Sequence, residues 1–307
     1  MKTITLNRIY VALFATLFSV LIYSCQKESS LTSNNSNAVT EQAASDYSDE
    51  GAQADASFDD VSDLGMVAAD EDNSASQLGD NGRGTDNTGR YFPSFRELRA
   101  IIGDCATVTV SPNDSTYPKT ITIDFGDSCR GYDGKVRRGK IVLHLTGPIR
   151  RPGSVMTITF VNFYLNRAHL EGTKVISNLS EGTTIKFTVQ VTGGKVTFPN
   201  GRGYSYESFK LKKQVEGMVT PNPRDNVFHL TGWARITYNN GVTVSFETID
   251  PLVKKVACPW ITDGTLKIKI NDRVLKLDYG FPNNGNCDNK ALLTWNNGNS
   301  QRVIILP

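Results

Sequence analysis

Residues 227–247, VFHLTGWARITYNNGVTVSFE, decide the fold class. Apolar and polar side chains alternate over 227–238 and again over 242–247, the two-residue period of a half-buried strand. Asn239-Asn240-Gly241 between them supplies residue types that accept positive φ, so the chain reverses and the two strands lie antiparallel. The same signature repeats outward in both directions. Strands are expected at 106–110, 120–125, 139–146, 155–165, 184–192, 205–213, 265–270, 274–279, 291–295 and 302–306. Turn chemistry falls at Pro112-Asn113-Asp114, Gly193-Gly194, Pro199-Asn200-Gly201, Asn271-Asp272 and Asn296-Asn297-Gly298. One helix is expected in this part, 94–103, with Ser94 as cap and Gly103 as stop. About a dozen strands in some 200 residues fit one all-β domain, 91–307. Its expected form is an antiparallel meander closing as a sandwich, an open barrel or an extended sheet.

Four cysteines stand in this region: Cys105, Cys129, Cys258 and Cys287. Cys105 precedes Asp124-Phe125-Gly126 and Cys129, while Cys258 precedes Asp278-Tyr279-Gly280 and Cys287. The recurrence suggests a duplication or a repeated structural device. Four cysteines allow three connectivities. A hairpin turning at Asn271-Asp272-Arg273 sets Cys258 across from Cys287, which favours local pairs, Cys105 with Cys129 and Cys258 with Cys287. A four-cysteine zinc site would need a Cys-x-x-Cys pair that the chain lacks.

The N-terminus sets the location. Lys2 and Arg8 precede a fifteen-residue apolar run, 9–23, followed by Ser24-Cys25 and polar residues. This is the order of a signal peptide, 1–24, and the run is short for a membrane span. Ile22-Tyr23-Ser24-Cys25 resembles the bacterial lipobox, apart from Tyr23. The resemblance implies that Cys25 becomes the first mature residue and carries acyl chains, palmitate among them. Several chains, at about 0.8 kcal/mol per buried methylene, give durable anchoring. Gln26-Lys27-Glu28 resembles the charged export tags of outer-membrane lipoproteins, which favours the cell surface over the periplasm.

Charge divides the rest. Residues 26–90 hold fourteen Asp or Glu against three Lys or Arg among Ser, Asn, Ala and Gly. Such a stretch buries too little apolar area to offset its ordering entropy, so residues 25–90 are expected to be an acidic, disordered tether. Within it 58–69 is the one short amphipathic segment, interrupted by Gly65. Residues 91–307 carry twenty-eight Lys or Arg against seventeen Asp or Glu. The two charge sets either keep each part soluble or mark a basic face on this domain, with Lys135, Arg137, Arg138, Lys140, Arg150 and Arg151 as its candidate residues. The anion it meets is lipopolysaccharide phosphate, acidic polysaccharide or the protein's own tether folded back. Nucleic acid is not among the expected partners.

The segments CATVTV, ITIDFGDSCRGYDGKVRRGKIVLHLTG, PGSVMTITFVNFYLNRAHLEGTK and LKLDYGFPNNGNCDNKALLTW together resemble an uncharacterised family of Bacteroidota outer-membrane and surface lipoproteins. The resemblance implies an envelope location and an all-β domain, and assigns no activity to any residue. Asp114-Ser115-Thr116 resembles the O-glycosylation sequon of this bacterial group, with Ser115 as acceptor.

Catalytic chemistry finds little support. His144, His169 and His229 lie in strand-like patterns, outside any metal-ligand or triad spacing. Asp124, Asp127 and Asp133, among Gly126, Gly131 and Gly134, form an oxygen-rich loop that is the sequence's one offer of a calcium site, without EF-hand spacing. No other cofactor is implied. Trp233, Trp260 and Trp295, with Tyr204, Tyr206, Phe163 and Tyr164, offer either a sugar-stacking platform or, more in keeping with strand periodicity, core. The expectation is a non-catalytic binding or structural module; the alternative is a carboxylate-based hydrolase acting on polysaccharide.

Overall fold

A computed structural model describes residues 40–78, 93–218, 223–271, 273–282 and 284–306. Fourteen strands follow one another: β1 Thr107–Ser111, β2 Lys119–Asp124, β3 Cys129–Arg130, β4 Val136–Leu145, β5 Val155–Leu165, β6 Ala168–Asn178, β7 Lys186–Thr197, β8 Gly203–Glu216, β9 Val227–Tyr238, β10 Thr243–Lys255, β11 Asp263–Ile270, β12 Arg273–Asp278, β13 Lys290–Trp295 and β14 Ser300–Ile305. All pair antiparallel in chain order within one sheet, except that short β3 pairs β4 beside the main path. The sheet does not close, so β1 and β14 are its two edges.

A sheet this broad curls, and this one curls around a helix. Helix α1, Glu41–Leu78, has 38 residues, eleven carboxylates and no basic side chain. Thr40 caps it, accepting the Ala43 N–H at 3.2 Å. Of its described side chains, Gln42, Gln53, Asp63 and Ser74 alone are exposed. Their spacings of eleven, ten and eleven are each three helical turns, so they fall on one line along the helix. A helix resting on a flat sheet leaves a broad face in water; this one shows water a single line. Tyr47, Phe58, Val61, Leu64, Ala68 and Ala69 are buried on it. They meet the inner faces of the strands: Phe58 stacks on Tyr206 at 4.4 Å between ring centroids, and Tyr47 packs on Tyr238 at 4.7 Å.

The sequence reading of 25–90 as a disordered tether is therefore corrected over 41–78; residues 26–39 and 79–90 of that span, with Cys25 and the expected signal peptide 1–24, lie outside the described residues. The short segment 58–69 is the centre of a much longer helix. Local reasoning failed because helix α1 is held by partners far away in sequence. Its own composition, with like charges throughout and Gly51 and Gly65 inside, provides little.

The strand pattern needs two corrections. Strand β6 escapes notice in the sequence because two of its inward positions are Lys174 and Asn178, which mask the alternation. Gly193-Gly194 is a bulge inside β7, with the register to β6 and β8 shifting there. A side chain at Gly194 would strike the Tyr206 carbonyl, so the close approach requires glycine. Short helix α2, Arg96–Ile102, lies where expected and Gly103 stops it at φ 80°. Its cap is different: the Glu71 carboxylate of α1, not Ser94, accepts the N–H groups of Glu97 and Leu98, both at 3.0 Å.

Both local disulfides form, Cys105–Cys129 and Cys258–Cys287. Strand direction alternates, so the first lies at one end of the strands and the second at the other. Among the described residues no helix is long and apolar enough to cross a membrane.

Candidate functional site

Inward-facing cations meet the carboxylates of α1 along its whole length. Arg302 of β14 reaches Asp46 at 2.9 Å and Asp49 at 3.4 Å. Arg202, in the β7–β8 turn, holds Glu50 at 2.6 Å. Lys210 of β8 bridges Asp55 and Asp59 at 2.8 and 2.9 Å. Arg137 of β4 and Lys135 just before it share Asp60, at 2.9 and 3.0 Å. Arg150 holds Asp70 beyond β4. Lys119 of β2 holds Asp72 at 3.1 Å with both side chains fully buried, and Tyr117 donates its hydroxyl to the same carboxylate. Of the three anions offered for the basic face, the protein's own acidic segment is the one in place.

Burial and pairing compete at the centre. Burial pushes the Lys174 ammonium down to about 8, against the opposing charge of Asp59 3.7 Å away. Burial acts the same way on Lys210, but Asp55 and Asp59 outweigh it and hold that ammonium well above the ordinary lysine value. Burial would raise the Asp59 carboxyl; Lys210 and Lys174 together keep it below its usual range. The nearer cation, Lys210, decides the balance at Asp59.

The six candidate basic residues divide by the partner each meets. Lys135, Arg137 and Arg150 are taken by α1. Arg138, the next residue on β4 after Arg137, faces outward and lies over the Tyr164 ring at 3.9 Å. Lys140 pairs with Asp124 at 2.6 Å. Arg151 is exposed.

Arg150 and Arg151 share a cleft of about 660 Å³ with Ser115, Tyr117, Thr146 and Asn73, among others. It forms where the β1–β2 and β4–β5 connections lie side by side at one end of the strands, at the C-terminal part of α1. The fold thus brings Ser115, singled out as a glycosylation acceptor, beside two of the basic candidates. Asp114 accepts both the N–H and the hydroxyl of Thr116, at 2.8 and 2.6 Å, which fixes the loop carrying Ser115.

The calcium candidates do not converge. Asp124 is engaged by Lys140 and the Gly126 N–H, and Asp133 by Arg137 at 2.6 Å, while Asp127 is exposed. Lysine hydrogen bonding holds the Asp124 carboxyl below its usual range. Among the described residues, no three His, Cys, Asp or Glu side chains are placed to hold a metal ion. The histidines are scattered: His144 is exposed, His169 stacks on Tyr164, and His229 is half-buried. Tyr204, Tyr206 and Phe163 are core. Trp260 and Trp295 are half-buried, and Trp233 is exposed opposite Phe209 on the outer face.

Sequence reasoning missed Lys119, Lys174, Lys210, Arg202 and Arg302. A signal existed: Lys119, Lys174 and Lys210 sit in phase with the buried apolar positions of their strands. Compared with known protein families, curated proteins and solved structures, the chain matches none.

Proposed function

We propose that this chain is a lipid-anchored, non-catalytic module of the bacterial outer membrane, facing the cell surface, that binds an anionic glycan or lipopolysaccharide phosphate at the end cleft. The observation that carries this reading is the cleft itself. Most inward cations of this basic domain, Arg150 among them, are committed to α1, whereas Arg151 stands exposed beside side-chain hydroxyls in a hollow large enough for a sugar unit. Guanidinium forks match phosphate, sulfate and carboxylate, and the exposed Ser115 hydroxyl is suited to sugar hydroxyls. Arg151 is the ligand contact; Arg150, shared with Asp70, shapes the cleft. Membership of the resembled Bacteroidota lipoprotein family, and acylation of Cys25, belong to the same proposal.

Two measurements test it. On a sulfated-glycan or lipopolysaccharide matrix, the chain is retained at low salt and released as salt rises, because exposed charge interactions are screened. Arg151→Gln weakens retention about tenfold, the loss of roughly one charge-assisted contact of 1.4 kcal/mol. No retention at low salt, or equal retention of the variant, overturns the ligand. Cys25→Ser moves the protein out of the membrane fraction; a variant still sedimenting with membranes overturns the anchor.

A further inference from the structure

Strand β14 ends the sheet with an edge that nothing in its sequence protects. Sheet edges present unpaired N–H and C=O groups, and proteins ordinarily blunt them with charge, proline or bulges. β14, SQRVII, has no proline, and its pairing with β13 runs without a bulge. Its one charge is turned away: Arg302 points inward to Ser45, Asp46 and Asp49 of α1. Leu306 donates its N–H to the Asn289 carbonyl at 2.8 Å. By the alternation of an antiparallel ladder, Ser300, Arg302 and Ile304 then bond to β13. Gln301, Val303 and Ile305 aim their N–H and C=O groups at the free edge. The same three residues carry the outer side chains, and two are aliphatic: Val303 is 42% exposed and Ile305 55%. The opposite edge, β1, exposes the hydroxyl residues Thr107, Thr109 and Ser111, which water satisfies.

We propose that β14 is a self-association edge, and that its occupant is β14 of a second copy of this chain, antiparallel about a two-fold axis at Val303. Symmetry and register argue for a second copy. With the axis at Val303, residue 303 pairs with 303 and residue 301 with 305, and each pair exchanges two backbone hydrogen bonds, about six in all. On the outer face Leu292 lies directly across from Val303. The two-fold therefore lines up Leu292, Val303 and their counterparts as one aliphatic row across the seam. No like charges meet, because the two Arg302 side chains face their own helices. An isologous contact of this kind closes as a dimer, whereas β14 meeting β1 of another copy would propagate without limit.

The test uses the full anchored chain. Val303→Cys puts two thiols at a pair whose Cα separation, about 5.5 Å, lies within disulfide range, so oxidant converts the chain in membranes to a covalent dimer. Thr109→Cys in β1 does not cross-link. In detergent the unmodified chain sediments as a dimer at micromolar concentration, and Val303→Lys raises the dissociation constant at least tenfold while leaving thermal unfolding in place. A monomeric wild type, cross-linking through residue 109 instead of 303, or an undiminished dimer in Val303→Lys each overturns the proposal.

Discussion

Removing the Asp72 carboxylate should show how firmly α1 is fastened to the sheet. Asp72 and Lys119 sit 3.1 Å apart with neither side chain exposed. At an effective dielectric constant of about 20 their attraction is roughly 5 kcal/mol, much of it offset by desolvation. Breaking the pair from one side is different, because the desolvated ammonium of Lys119 loses its balancing charge. Asp72→Leu is expected to cost about 3–5 kcal/mol, and Tyr117 loses an acceptor as well. For a domain of this size that lowers Tm by roughly 6–20 °C. Lys119→Met leaves the buried carboxylate behind and costs a similar amount. The double variant Asp72→Leu with Lys119→Met removes both charges and replaces them with apolar volume, so its stability lies within about 1.5 kcal/mol of wild type. Urea unfolding of the four proteins gives the coupling energy, and hydrogen exchange of the last turns of α1 shows where protection is lost. Single losses under about 1 kcal/mol, or losses that simply add in the double variant, would refute the view that this pair fastens the helix.

Three further outcomes follow from the same contacts. A Cβ at Gly51 overlaps the Phe246 ring, so Gly51→Ala destabilises by about 1–3 kcal/mol despite its better helix propensity; Gly65→Ala meets only movable side-chain ends at 3.0–3.4 Å and is neutral or stabilising by up to about 1 kcal/mol. Thermal melts of the two variants should therefore move in different directions. Lys174 titrates near 8 when folded and near 10.5 when unfolded, so the unfolded chain binds more protons between those values and this residue's contribution grows more favourable as pH rises. The stability difference between wild type and Lys174→Met should change across that window and be flat between about pH 5 and 7. On the acid side the depressed Asp59 carboxyl contributes above the ordinary carboxylate range and is lost as pH falls through it. Replacing Cys258 and Cys287 by serine opens a 29-residue separation and costs about 3.5 kcal/mol in the chain-entropy picture, read as a lower urea midpoint.

Much of the β-architecture is legible because its signals are local. Alternation in 227–238, turn residues at 239–241 and the register through Asn271 predict neighbours that are close in sequence, and the meander pairs mostly such neighbours. The Cys258–Cys287 bridge follows from the same arithmetic. Helix α1 is illegible for the converse reason. Asp72 meets Lys119 across 47 residues and Asp46 meets Arg302 across 256. Read alone, Asp46 and Asp72 look like solvated charges in a low-complexity stretch. The bulge at Gly193-Gly194 imitates a hairpin turn because both use glycine. The cleft is partly legible: Pro148 to Gly153 reads as an exposed turn with two arginines, but nothing in the sequence places Ser115 beside them.

Recasting the expected tether as a packed helix changes what the acidic segment does for the folded domain. Helix α1 begins at Glu41. The helix then runs through the curled sheet at about 1.5 Å per residue, so Asn73 at the cleft lies about 48 Å from Glu41 along its axis. Ion pairs from β14 at Asp46 to β2 at Asp72 make this distance rigid. The acidic composition serves that role directly. Carboxylates spaced along one helix satisfy cations on strands that lie far apart in the sheet, and an apolar helix would leave those cations buried without counter-charge. The acidic segment thus acts as the axis of the folded domain, running from the β7–β8 turn at Glu50 to the end cleft at Asn73.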